Sequence, residues 1–252
     1  VSKIIGEKTH PYQPDLDIPE PFGKNKFNFN DIWSYDPVQL EKLKENYKDH
    51  KFGFYETYEI GKKNLQYSFN GGAEWMGGSV NPESQIFYVT SNNIPWIAEL
   101  ERTNDKKILI PKYKSKFKRA LDDSGYPITK PPWGTLTALN LNNGKIIWQV
   151  PFGEYENLKK MGIKKTGTEN FGGVTSTAGQ ILIATGTLDK KLFIYDSSNG
   201  KILYEYKMPY VGSSPPTTYL YKNEQYIIVH ASGGRTLKKG YPQLINDGNL
   251  IL

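Results

Sequence analysis

Residues 170 to 201, NFGGVTSTAGQILIATGTLDKKLFIYDSSNGK, hold groups that a site can use: Gly172 and Gly173, where backbone can come close to a partner, and one acid, Asp189, at a turn. Each also has a plain structural reading. Paired glycines at the head of a strand permit tight packing, and an Asp in a hairpin turn commonly bonds its own backbone. Other chemistries find little support. The chain has no cysteine, which removes disulfides, thiolate metal sites and cysteine nucleophiles together. His10, His50 and His230 are far apart and show no metal-ligand spacing. There is no phosphate loop, no G-x-S-x-G elbow and no dinucleotide fingerprint.

The elements that must position these residues are strands. The chain has 252 residues, 13% of them aromatic, with 18 Tyr, 24 Gly and 16 Pro. That composition suits many short strands joined by tight turns, and it favours an all-β fold. No run of about 18 apolar residues exists, so no transmembrane helix is expected in this chain.

From residue 71 onward the chain repeats itself. GGSVNPESQIFYVTSN begins at Gly77 and GGVTSTAGQILIATGT at Gly172, so a shift of 95 puts Gly77 on Gly172 and Gln85 on Gln180. A third copy begins at Pro215 and places Gln225 a further 45 residues on. A second element, ALNLNNGKIIW at 138 to 148 and IYDSSNGKILY at 194 to 204, reads as strand, Asn-Gly turn and strand. One unit is therefore four strands, at 172–176, 181–186, 191–196 and 202–207. A repeating four-stranded antiparallel unit of roughly 45 residues is the signature of a β-propeller blade. Such blades stack because a lone one cannot bury both faces.

The first full blade then runs from about 77 to 150, with an insertion at about 92–133. Residues 1–70 read as an extended N-terminal segment with one surface helix, 36–50, in which Asp36 caps, Pro37 suits the first turn, and Leu40, Leu43 and Tyr47 share a face. Residues 71–252 carry the blades, only part of a ring; the remaining blades belong either to chain beyond these residues, the reading favoured here, or to residues 1–70 in disguise. The net charge of +6 is concentrated in KKILIPKYKSKFKR, 106 to 119, which reads first as a solvated lysine-rich loop and second as a contact for polyanions or an anionic membrane surface. Nucleic acid is not expected, because the aromatic residues follow strand periodicity and so belong to sheet packing.

Three strings carry a resemblance: GGAEWMGGSVNPESQIFYVTSNNIPW, PPWGTLTALNLNNGKIIWQVPFGE and TGTENFGGVTSTAGQILIATGTLDKKLFIYDSSNGK. Over about residues 30 to 252 the chain resembles the C-terminal part of quinoprotein dehydrogenases that use pyrroloquinoline quinone (PQQ), in their glucose-dehydrogenase-like branch. The resemblance implies an eight-bladed propeller with a tryptophan-docking motif of Ala, Asp, Gly and Trp. Ala138, Gly144 and Trp148 match, with Asn140 in place of the Asp; the next copy keeps Asp196 and Gly200 but has Ile194 and Tyr204. Trp148 is thereby expected to pack on the neighbouring blade and not to belong to a site.

The resemblance also implies cofactor contacts: Glu74 and Trp75 before the first Gly-Gly, Asn170, Phe171 and Gly172 at the second, Asp189 near the quinone, and Gly233, Gly234 and Arg235 at the last glycine-rich turn. Two of these depart from the family pattern. Glu74 replaces a neutral donor with an anion, and Arg235 stands where His is frequent. The implied activity is oxidation of a sugar or alcohol in the periplasm, with PQQ and calcium, passing electrons to a quinone or cytochrome. No positions match the base aspartate, the lysine near the quinone or the metal carboxylates, which in the family precede the region matched here. The chain alone is therefore expected to be inactive and to need the remaining blades or an N-terminal portion as partner. The other reading is a cofactor-free propeller of PQQ-like repeats acting as a protein-binding scaffold.

Overall fold

The structure, a computed structural model, describes residues 4, 7, 8, 10, 12, 16–54, 56–67, 69, 72–73, 76–103, 113–233 and 250–251. The chain forms two compact units, one of residues 1–17, 24–72 and 94–130, the other of 18–23, 73–93 and 131–252. Strands are numbered in chain order.

In the first unit, helix α1 (Pro37–Tyr47) begins where Asp36 Oδ1 accepts from Val38 N at 2.9 Å and proline occupies the first turn. Leu43 is buried, and Leu40 and Tyr47 pack beside it against Phe27, Leu65 and Ile97. That core rests on a sheet of β1 (Lys51–Phe52), β2 (Lys63–Tyr67), β5 (Pro95–Arg102) and β6 (Tyr113–Arg119), in the order β1-β2-β5-β6. Residues 63–67 thus form a strand within the segment read from sequence as extended. Leu65 and Tyr67 turn into the core, and all five residues pair with β5. The described part of the lysine run is the edge strand β6, with Lys114 and Lys116 paired to Glu101 at 3.9 and 2.6 Å. Lysines on an unpaired edge oppose sheet-to-sheet association.

In the second unit two complete four-stranded antiparallel sheets stand as propeller blades. The first is β3 (Ser79–Asn81), β4 (Ile86–Asn92), β7 (Gly134–Asn140) and β8 (Lys145–Pro151); β4 and β7 pair along seven residues although 93–133 separate them in the sequence. The second is β9 (Val174–Ser176), β10 (Ile181–Ala184), β11 (Lys191–Asp196) and β12 (Ile202–Lys207). A third begins with the hairpin β13 (Thr217–Tyr221) and β14 (Glu224–Ile228), followed by β15 (His230–Ala231) paired with β16 (Leu250–Ile251).

The repeat is visible atom by atom. Gln85 and Gln180 both adopt left-handed backbone, φ 55° and 60°, at the β3–β4 and β9–β10 turns. Gln225 instead lies within β14, because Lys222 and Asn223 make a tighter two-residue turn with φ 48° and 62°. At the outer hairpins Gly144 and Gly200 have φ 68° and 71°, and each donates its N–H to the carbonyl of the residue four before, Asn140 or Asp196. Asn140 Oδ1 accepts from Asn142 N as Asp196 Oδ1 accepts from Ser198 N, both at 2.8 Å, so Asn performs the turn-bonding task of Asp.

The blades pack face to face through Tyr88, Leu136, Ala138 and Phe152 against Val174, Leu182, Phe193 and Tyr195. Trp148 closes the seam. Its Nε1 donates to Ser197 O at 3.0 Å, and its ring lies where a Cβ on Gly200 would come within 2.8 Å. On the other face of the first blade the equivalent seat is filled differently. A Cβ on Gly144 would meet Ile18 Cγ2 at 2.4 Å, and Glu20 N donates to Gly144 O at 2.7 Å while Ile146 N donates to Glu20 Oε2 at 3.0 Å. Residues 18–23 thus lie as a strap where the repeat would seat another tryptophan.

Candidate functional site

The loops at one end of the second blade gather Asn170, Phe171, Gly172, Asp189 and Gly233. Asn170 is fully buried and forms an isolated bridge with Thr187. Its Nδ2 donates to Ser91 O at 3.1 Å and to Asn92 Oδ1 at 2.8 Å; its own N–H donates to Asn92 Oδ1, and its carbonyl accepts from Asn92 Nδ2 at 2.9 Å. Asn170 Oδ1 is buried with no hydrogen-bond partner. An unsatisfied buried acceptor is uncommon, and it marks a place where a donor would be welcomed.

Phe171 is buried with Leu188 and Val211. Gly172 has no room for a side chain: a Cβ there would stand 2.1 Å from Thr185 O, and one on Gly186 would stand 1.8 Å from Gly172 N. Two strands meet backbone to backbone at this point, which accounts for the glycine. Gly233 holds φ 76° and donates to Val211 O at 3.0 Å, tying the last described turn to the same cluster.

Asp189 is 8% exposed. Its Oδ2 accepts from Glu154 N at 3.0 Å, its Oδ1 accepts from Thr187 Oγ1, and its carbonyl accepts from Lys207 Nζ. Burial is the strongest influence on the carboxyl and raises its pKa above the usual range, despite the bonds from Thr187 and Glu154 that favour the anion. The sign of the pH effect follows. Stabilisation by Asp189 is fully present below the unfolded value, about pH 4, and is lost as pH rises through the higher folded value. Asp189→Asn, neutral throughout, is expected to flatten that limb of urea midpoint against pH; an unchanged limb would assign the ionisation to another group.

Glu74, Trp75, Gly234 and Arg235 lie outside the described residues. Among the described residues no group of three or more His, Asp or Glu side chains is placed to hold a metal ion. Two participants escaped the sequence reading, Asn92 and Thr187. The only hint was their position just past apolar strands, in TSNN and TGTL. Neither type announces that it will clamp Asn170.

A family model described as PQQ: glucose/ethanol/alcohol dehydrogenase, beta-propeller domain, matches residues 1–227. The chain belongs to this family. Among its curated relatives, the quinate/shikimate dehydrogenase (quinone) of Acinetobacter baylyi is 27% identical over 93% of this chain and 32% of its own length. The quinoprotein glucose dehydrogenase A of Acinetobacter calcoaceticus is 25% identical over 90% of this chain and 30% of its own length. The chain thus spans about a third of the length of the curated relatives it matches. A solved structure titled europium-containing methanol dehydrogenase shares the fold, with a TM-score of 0.57 at 18% identity over 75% of this chain and 31% of that one.

Membership in the PQQ propeller family makes the cofactor the natural question for this cluster. PQQ is a flat tricarboxylate quinone, and a site for it must supply donors and cations. The described candidates offer it one open acceptor, Asn170 Oδ1, and one carboxylate, Asp189. Their N–H groups are largely spent inside the protein, and Lys207 is turned onto the Asp189 carbonyl. This set does not by itself fit a trianionic quinone. What the cluster does chemically is lock three loops together through the backbone contacts at Asn170, Gly172 and Gly186.

Proposed function

We propose that this chain is the C-terminal portion of a periplasmic PQQ-dependent dehydrogenase that oxidises a sugar or alcohol and passes electrons to a quinone or cytochrome. The observation that carries the reading is the family match along residues 1–227 by a chain that spans about a third of its relatives. In this reading the base aspartate, the lysine near the quinone and the calcium ligands belong to blades outside these residues. The Asn170 cluster serves as the rigid wall on which the completed site is built. In the enzyme completed by the partner portion, Glu74, Trp75, Gly234 and Arg235 join Asn170, Phe171, Gly172, Asp189 and Gly233 at the cofactor face. The incomplete donor set of the described residues supports this division of labour.

The test is reconstitution. The chain mixed with PQQ and calcium is expected to show no dye-linked oxidation of glucose, ethanol or quinate, and no PQQ retained in equilibrium dialysis. Turnover by the chain alone would mean that the complete catalytic apparatus lies within it.

A further inference from the structure

A cleft of about 450 Å³ runs along the seam between the two complete blades, within the second unit. It is a different place from the Asn170 cluster, although Asp189 forms part of its wall. Its size falls within the ordinary range for small-molecule sites, about 300–1,000 Å³. One wall is the end of β8 and the loop after it, and the other is the face of β11 and β12.

The charges lining it fall into two groups. Glu154 pairs with Lys159 at 3.3 Å and also accepts from Lys165 N, and Glu205 pairs with Lys191 at 2.7 Å. Both oxygens of Asp189 are taken by Thr187 and Glu154 N. The acids are therefore engaged. Lys165 and Lys201 also line the cleft, and among the described residues their ammonium groups have no ion pair or hydrogen bond. Tyr195 also lines the cleft, but its hydroxyl is sealed within the fold. The open charges of the cleft are thus the two lysines. The rest of the lining is apolar, with Val150, Pro151, Phe193 and Ile202.

We propose that this inter-blade seam is a subsite for a small organic anion with an apolar body, Lys165 and Lys201 supplying the cations. A neutral ligand leaves the ammonium groups unused, and a cation finds the acids already engaged by Lys159, Lys191, Thr187 and Glu154 N. An inorganic anion leaves the apolar wall uncovered. The site goes beyond the dehydrogenase reading and stands independently of PQQ.

The probe is 2-naphthoate, with 2-naphthamide as its uncharged counterpart, titrated calorimetrically into the chain. One saturable naphthoate site is expected, with the amide weaker by about tenfold or more, the worth of a charge-assisted hydrogen bond. The double variant Lys165→Gln, Lys201→Gln is expected to lose naphthoate affinity by a similar factor, while Lys222→Gln, on the β13–β14 turn, leaves it unchanged. Absence of saturable naphthoate binding, equal affinity for the amide, or indifference to the double variant would each overturn the proposal.

Discussion

Replacing Trp148 with alanine is expected to lower the stability of the chain by about 3 kcal/mol, the low end for a large aromatic because the indole is only partly buried. The loss has three sources. Loss of the ring beside Gly200 leaves a groove at the blade seam, the Nε1 donation to Ser197 O is lost, and Tyr88, with its ring centroid 6.1 Å away, loses a neighbour. Urea unfolding checks the magnitude, and a loss below about 1 kcal/mol would show that the indole is not what joins the blades. A second substitution separates packing from backbone strain. Gly200→Ala is costly in the native chain for two reasons, its φ of 71° and the indole 2.8 Å from the new Cβ. In the Trp148→Ala background the clash with the indole is gone, leaving the backbone cost and the 3.0 Å approach to Val150 Cγ1, so the pair should be strongly non-additive.

Asn170→Asp is the second large effect. The change replaces an Nδ2 that donates to Ser91 O and Asn92 Oδ1 with an oxygen facing those same acceptors, in a fully buried position. An uncompensated buried charge costs on the order of 3–5 kcal/mol. The new carboxyl would have its pKa raised in the fold by burial and by the facing oxygens. Its destabilisation therefore grows as pH rises from the unfolded value, about 4, and levels off above the folded one. Thermal unfolding from pH 4 to pH 8 should show a variant that recovers towards acid, whereas Asn170→Ala should show a smaller loss with no such slope. A pH-independent loss in the aspartate variant would mean that the side chain escapes to solvent.

How much of this was legible in advance differs from element to element. The second blade could be read almost strand for strand, because the glutamine turn, the Asn-Gly hairpin and the alternating apolar strands are local signals that recur at a fixed shift. The docking of Trp148 followed from the family motif, and the glycine opposite it came from the same repeat. The third copy was readable as a repeat of the same unit, but Gln225 does not take the turn position of Gln85 and Gln180, since a Lys-Asn pair with left-handed backbone makes a tighter turn just before it.

The sequence by itself determined the fold class and the blade unit, because periodicity and turn chemistry act over a few residues and repeat, and the resemblance of three of its strings pointed to the family. Only the tertiary structure decided what Asn170, Gly172 and Asp189 do. Asn170 is clamped by Ser91 and Asn92, nearly eighty residues earlier, and Gly172 is required by a carbonyl of Thr185. Asp189 is buried by the loop that carries Glu154. Each role depends on a partner from a different blade or loop, and the strap of residues 18–23 over Gly144 depends on one more than a hundred residues away. Such contacts are set by the packing of whole sheets, which no local pattern of residues encodes.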